Sequence, residues 1–336
     1  MCVLWSIPLV WLTLFWERTI FRSDHHWKFD IIMPNSLCDV LLQYMPWTAY
    51  EAESLHSSYI AGCVLNAFLS YTAITLNISA IYAVKKTPSL SHPLRILLLN
   101  LAGSDLGVGL LCQPLFIALL VEMLWNNNPS FSTYTAFSSI LTLFSFVSFF
   151  GVMIMNLDRF MAIYLHLRYQ EVMTHQRVTK GVIALWVFSA FLSLVTLWTS
   201  MNISTVIFAI VEAGCLVTTT CLNYKIYLNV RRHRNQINAI QVQNGDEMAN
   251  ALSIWKSALG AFYVHLVFVF CYLPHIIIYA VVAIFGVRTV IRSLSVFTLT
   301  IVLLNSSLNP IIYCSKMRQV RCAMVNILRN TLLRYT

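Results

Sequence analysis

Charge is what this sequence has least of. Charged residues fill 10% of its 336 positions and hydrophobic ones 58%, against about 25% charged in an ordinary soluble domain. Length alone would suggest two soluble domains, but so little charge cannot supply a polar shell for that much apolar surface, so the chain reads as a membrane protein. The net charge of +9 does not form a basic stripe interleaved with aromatics, and no nucleic-acid partner is expected. Paired cysteine spacing is missing as well. The cysteines stand singly at 2, 38, 63, 112, 215, 221, 271, 314 and 322, so neither a zinc site nor a disulfide framework is indicated. The histidines are scattered without a companion nucleophile, base or metal-ligand cluster, so no enzymatic activity is expected. There is no internal repeat, no low-complexity tract and no matched pair of broken apolar segments. The alternative of a seven-helix transporter or channel therefore lacks its usual signature.

What is present is a series of seven long apolar runs, about 59–84, 94–121, 131–157, 181–199, 203–228, 254–285 and 291–313. Each is close to or above the roughly 20 residues a helix needs to cross a bilayer. The predicted fold is an all-α membrane protein, a seven-transmembrane-helix bundle over 59–313. An extracellular segment, 1–58, precedes it, and a cytoplasmic amphipathic helix and tail, 314–336, follow it. Residues 1–33 begin with a short apolar run, Met1–Trp16, read either as a signal-like segment or as a dispensable extension. Of the 22 Lys and Arg residues, all but Arg18, Arg22, Lys28, Arg288 and Arg292 flank the gaps after runs one, three, five and seven. By the positive-inside rule those gaps are cytoplasmic, which places the N-terminus outside and the C-terminus inside. The polar stretch Asn235–Asn250 reads as a short third cytoplasmic loop. Ser315–Arg334 spaces Met317, Val320, Met324, Ile327 and Leu328 at three and four residues with arginines between, a pattern suited to a helix lying on the inner leaflet.

Polar residues inside the runs carry the functional signal, since a polar group in hydrocarbon must find its partner within the protein. The last run, Leu299–Tyr313, reads LTIVLLNSSLNPIIY. Pro310 removes a backbone donor and crowds the preceding turn, so Asn309-Pro310 marks a hinge at which Asn309 is expected to bond a freed carbonyl. Asp105 is alone among apolar residues in the second run, where a charge costs about 2.5–3.5 kcal/mol on insertion scales. Asp158-Arg159 ends the third run. Glu212 and His275 lie in the outer parts of the fifth and sixth.

In order along the chain these residues resemble the rhodopsin-like G-protein-coupled receptors over roughly 59–330. Asn77 lies in helix 1, LNLAGSDLGVG with Asp105 in helix 2, Asp158-Arg159-Phe160 at the end of helix 3 and Trp186 in helix 4. Tyr224 lies in helix 5, Cys271-Tyr272-Leu273-Pro274 in helix 6 and Asn309-Pro310-Ile311-Ile312-Tyr313 in helix 7. The stretch LDRFMAIYLHLRYQEVMTHQRV looks like the melanocortin, adenosine and cannabinoid branch. The resemblance implies a receptor that binds an extracellular ligand and activates a heterotrimeric G protein. It implies a sodium and water pocket of Asp105, Ser148, Asn305, Ser306 and Asn309, with the ion, held at Asp105, as an allosteric modulator and no other cofactor. It also implies a switch and coupling set of Asp158, Arg159, Leu167, Tyr224, Pro274, Pro310 and Tyr313. The chain departs from the family at several points. Tyr134 stands where the family has its helix-3 cysteine, and Ser200–Asn202 holds none, so the outer disulfide cannot form. Leu216 replaces the helix-5 proline, Tyr272 the helix-6 tryptophan and Leu141 the amine-binding aspartate, which disfavours a biogenic amine as ligand. Many family members hold the helix-3 arginine with an acid at the inner end of helix 6. Counting back from Pro274 puts Ile254 there.

Each signal has a plainer alternative. Asp105 is either an ion ligand or a protonated acid bonded to Asn77 and Asn309. Asp158-Arg159 is either a coupling switch or a solvated boundary pair, and the apolar Ile163, Leu167 and Tyr169 that follow favour the switch. Glu212, His275 and Tyr272 form a ligand pocket, with Glu212 holding a polar or cationic ligand group, or Glu212 and His275 satisfy each other as a buried pair. A retinal protein is excluded because 291–313 lacks the lysine that a Schiff base requires.

Overall fold

The computed structural model describes residues 49–87, 90–126, 130–165, 168–198, 201–239, 245–285, 289–316 and 320–322. The N-terminal apolar run and Leu167 lie outside them, as does most of the C-terminal amphipathic stretch. Seven long helices account for nearly everything described. They are α1 (Ala49–Lys86); α2 (His92–Gly107, then Val108–Cys112 and Gln113–Asn126); α3 (Phe131–Leu165); α4 (His175–Trp198); α5 (Met201–Ala239); α6 (Gly245–Phe285); and α7 (Thr289–Lys316). A single turn, Tyr169–Val172, lies between α3 and α4. Below, the side bearing the start of α1, expected to face outward, is called the outer side.

Six of these helices carry windows long and apolar enough to span a membrane, and α5 is the remaining long helix. The helices outrun the apolar runs. Helix α1 begins ten residues before Tyr59, α3 continues to Leu165, and α5 and α6 extend to Ala239 and back to Gly245. The polar stretch read as a third loop is therefore largely helical. A helix satisfies its own backbone and can continue past the bilayer with polar side chains, so hydropathy marks the span and not the helix end. Caps set the starts where they are visible. Ser130 and Thr174 each accept a backbone N–H three residues on, at Thr133 and Arg177, and Pro93 sits in the first turn of α2, where a missing N–H costs nothing.

Proline explains the irregularity in α2. Pro114 has no N–H and would clash with the carbonyl four residues back, and the turn directly before it, Val108–Cys112, widens to π geometry. The bulge presents the Gly109 carbonyl sideways, where the Ser70 hydroxyl of α1 donates to it at 2.8 Å. Gly107 lets α3 approach closely. A Cβ there would lie 2.2 Å from a ring carbon of Phe144.

The interior divides into two apolar clusters. The outer one gathers Leu55, Tyr59, Phe116, Leu120, Phe137, Phe144 and Val296 from α1, α2, α3 and α7. The inner one gathers Leu98, Leu101, Phe149, Val152, Phe268, Tyr272 and Val302 from α2, α3, α6 and α7. Large apolar side chains on the outer faces, such as Val64, Phe68 and Tyr71 of α1 and Val187 and Phe191 of α4, stay exposed. That inverted surface belongs in lipid.

Candidate functional site

Polar side chains collect where α1, α2, α3 and α7 converge. Asp105 and Asn309 are fully buried, and Ser148, Asn305 and Ser306 nearly so. The Asn309 amide donates to Asp105 Oδ2 at 2.8 Å, and the Ser306 hydroxyl lies beside the same carboxylate. Ser148 meets Ser104, the neighbour of Asp105, at 3.5 Å. Two expectations need correction. Asn309 does not take the carbonyl that Pro310 frees. That carbonyl is Ser306 O, four residues back, and the Asn77 amide of α1 donates to it at 2.9 Å. Asn77 consequently faces the α7 backbone and is not bonded to Asp105. The hinge is thus braced from a neighbouring helix, which leaves Asn309 for the acid.

The acceptors left over in this cluster are all oxygens: Asp105 Oδ1, Asn77 Oδ1, Asn305 Oδ1 and Asn309 Oδ1 have no hydrogen-bond partner among the described residues. Among the described residues no salt bridge involves Asp105. A group of hard oxygen acceptors around one carboxylate fits a small cation and its water, and buried acceptors left unmatched would cost about 1–3 kcal/mol each.

The seam between α1 and α7 was not legible beforehand. Besides Asn77 it carries Ser58 with Ser293 at 2.6 Å, Asn66 with Thr300 at 2.9 Å and Thr72 with Ser307 at 3.1 Å. In the sequence these are isolated serines, threonines and asparagines in apolar runs, and only the helix register pairs them.

At the inner end of α3, the Arg159 guanidinium donates through Nε at 2.9 Å and through Nη2 to Asp158 Oδ2. The Tyr169 hydroxyl, from the turn after α3, donates to Asp158 Oδ1 at 2.6 Å. Asp158 is buried and Arg159 nearly so, with 1% and 9% of their side chains exposed. The solvated-pair alternative therefore fails. Burial, then the Asp158 charge and the hydrogen bond to it, push the Tyr169 phenol above its usual value, with Arg159 pulling the other way. The phenol therefore stays protonated as a donor. Tyr169 was expected only as part of an apolar face, and its bond to Asp158 depends on how the turn folds back.

Phe149, Phe268 and Tyr272 form an aromatic triad with centroids 4.3–4.6 Å apart. Phe149 adjoins Ser148 in α3, so the triad sits at the level of the polar cluster. His275 is buried, its Nδ1 pairs with the Thr298 hydroxyl of α7 at 3.2 Å, and its ring lies 4.4 Å from that of Tyr279. The Glu212–His275 pair is therefore not formed. Glu212 is partly exposed on α5, near enough to act on the Tyr272 and Cys215 side chains. Tyr224 points away from the bundle, 63% exposed. Pro274 and Pro310 lie inside α6 and α7, and Tyr313 and Ile254 lie on those helices.

No disulfide involves the described cysteines, and Tyr134 occupies the first turn of α3. In its vicinity the Glu122 carboxylate of α2 accepts from the Ser130 N–H at 2.6 Å, the Ser130 hydroxyl at 3.1 Å and the Thr133 hydroxyl at 2.7 Å. A charged anchor thus ties the outer end of α2 to the start of α3.

The family model described as 7 transmembrane receptor (rhodopsin family) matches residues 76–205. The chain is similar to the rhodopsin-like receptors in sequence and in fold. Relatives of this receptor include the histamine H2 receptor of Rattus norvegicus, 25% identical over 80% of this chain and 82% of that one. The adenosine receptor A3 of Canis lupus familiaris is 24% identical over 81% and 92%, in keeping with the adenosine side of the expected branch. The human olfactory receptor 51A4 is 28% identical over 75% and 85%. In three dimensions the receptor superposes on squid rhodopsin with a TM-score of 0.69, covering 82% of this chain and 87% of that one at 17% identity. That likeness establishes the seven-helix fold. The transporter or channel alternative is not favoured, and the receptor is a multi-pass membrane protein.

Proposed function

We propose that this receptor sits in the plasma membrane with its N-terminus outside, binds an extracellular ligand in the outer half between α3, α5, α6 and α7, and activates a heterotrimeric G protein through the inner ends of α3, α5, α6 and α7. The observation that carries the reading is the buried Asp158–Arg159 pair. Burying a charge pair costs desolvation that its mutual attraction repays only in part, so the pair adds little stability to the bundle, and an arginine held by its own neighbour can be released without unfolding anything. Tyr272, packed on Phe149 and Phe268, supplies a rigid element between the ligand region and the polar cluster.

Two relatives are named for histamine, an amine, and adenosine. Leu141 leaves α3 without an acid for an amine, so a cationic ligand group would be held by Glu212 of α5, which no described side chain neutralises, with Tyr272 and His275 as neighbours. The cluster around Asp105 fits sodium. Asp105, Asn305, Asn309, Ser148 and Ser306 would hold the ion, which supplies the positive charge that the carboxylate lacks.

The test is a panel of second-messenger assays in cells expressing the receptor, with and without a ligand library, beside Arg159→Ala. A response that Arg159→Ala abolishes at equal surface expression is expected. A parent receptor inert in every G-protein class against every ligand, or an Arg159→Ala variant that signals as the parent does, would sink the reading.

A further inference from the structure

A second set of buried polar atoms lies outside the Asp105 cluster, where α1, the outer half of α2 and α7 meet. Gln113 is fully buried, yet neither Nε2 nor Oε1 has a partner among the described residues. Asn66 of α1 is equally buried. Its amide nitrogen donates to the Gly62 carbonyl at 2.8 Å and to the Thr300 hydroxyl at 2.9 Å, while Oδ1 has no partner among the described residues. The register puts Asn66 and Gln113 at the same level of α1 and α2. Ser70 of α1 donates to the Gly109 carbonyl of α2, a Cβ on Gly62 would touch Leu120 and Val296, and on these antiparallel helices Asn66 and Gln113 each lie one turn outward of the Ser70–Gly109 bond.

The two sets ask for different guests. Around Asp105 the unmatched atoms are acceptors beside a negative charge, which select a cation. Here they are two acceptors and one amide donor, with no acid. A bare cation would leave the Gln113 amide unmatched, and an anion would face two carbonyl oxygens. A molecule that both donates and accepts satisfies all three, and a buried water ordinarily makes two to four such bonds.

We propose that Asn66 and Gln113 hold a bound water that bridges α1 and α2 beside α7, immediately outside the wide turn of α2. The water donates to Asn66 Oδ1 and Gln113 Oε1 or accepts from Gln113 Nε2 as the amide turns. It ties the outer half of α2, re-aimed by Pro114, to α1 through bonds that can re-form when the helices shift. Both asparagine and glutamine are then kept in an apolar seam by a shared guest, since neither bonds the other.

The test is thermal unfolding of the purified, ligand-free receptor carrying Gln113→Met, Asn66→Leu or both. If water bridges the two, Gln113→Met lowers Tm by a few degrees, and the double variant loses less than the sum of the single losses, because the second change removes a water already gone. A rise in Tm for Gln113→Met marks an amide that was simply unsatisfied and overturns the proposal, as do strictly additive losses. Should Asn66→Leu fail to fold, a structure of the parent receptor at a resolution that shows ordered water decides the matter. Water density in reach of both side chains upholds the site, and a direct Asn66–Gln113 bond or an empty interval removes it.

Discussion

Replacing Asp158 by asparagine tests how this receptor stays quiet. In the structure the Arg159 guanidinium is held by Asp158 through Nε and Nη2, and Tyr169 holds the other carboxylate oxygen. The pair is 1% and 9% exposed, so solvent screening does little to discount it. Asp158→Asn removes the charge while keeping the shape. It loses charge-assisted bonds worth about 1.5–3 kcal/mol and leaves Arg159 buried without a counter-charge. Both effects fall on the resting arrangement, because an active one that turns Arg159 toward a G protein does not use the pair. A change of about 1.4 kcal/mol shifts an equilibrium tenfold, so a receptor active about 1% of the time would become active about 9% of the time. The expected result is several-fold higher ligand-free signalling in Asp158→Asn. Ile254→Glu, which supplies the acid missing from the start of α6, should instead lower ligand-free signalling below the parent's. The assay is second-messenger output at matched, antibody-quantified surface expression. Basal output in Asp158→Asn equal to the parent's, with surface expression preserved, would refute the reasoning.

Other outcomes follow from the same geometry. Asp105→Asn keeps the bond to Asn309 but removes the carboxylate, so any sodium dependence of agonist potency should vanish. Equal sodium sensitivity in both proteins would take the ion out of the cluster. Glu122→Ala removes the acceptor for three donors at the start of α3 and should cost about 1–3 kcal/mol of stability, while Glu122→Gln, which keeps a carbonyl acceptor, should cost less; melting of the purified receptor reads both. The raised Tyr169 phenol donates to Asp158 fully below its ordinary value near 10 and loses that bond only as pH climbs through the higher folded value. The difference in basal signalling between Tyr169→Phe and the parent should accordingly be constant across the neutral range, and a change near pH 7 would contradict it. An epitope after Thr336 should be reached by antibody only in permeabilised cells, and labelling of intact cells would overturn the topology.

Hydropathy, the placement of basic residues and the order of Asn77, Asp105, Asp158-Arg159, Pro274 and Asn309-Pro310 are properties of the sequence itself, and they were enough for seven helices and the receptor family. That is because a bilayer imposes a length and a polarity on each span independently of the others. Which polar atoms meet is another matter. Asn77 and not Asn309 takes the carbonyl freed by Pro310, and His275 pairs with Thr298 and leaves Glu212 without it. Glu122 anchors α3 where the family has a disulfide, and Gln113 is turned inward by a π turn that Pro114 induces. Each of these depends on helix rotation and depth. A one-residue turn of a helix swings a side chain by about 100°, and that angle is set by packing among neighbouring helices, which no local stretch of sequence contains.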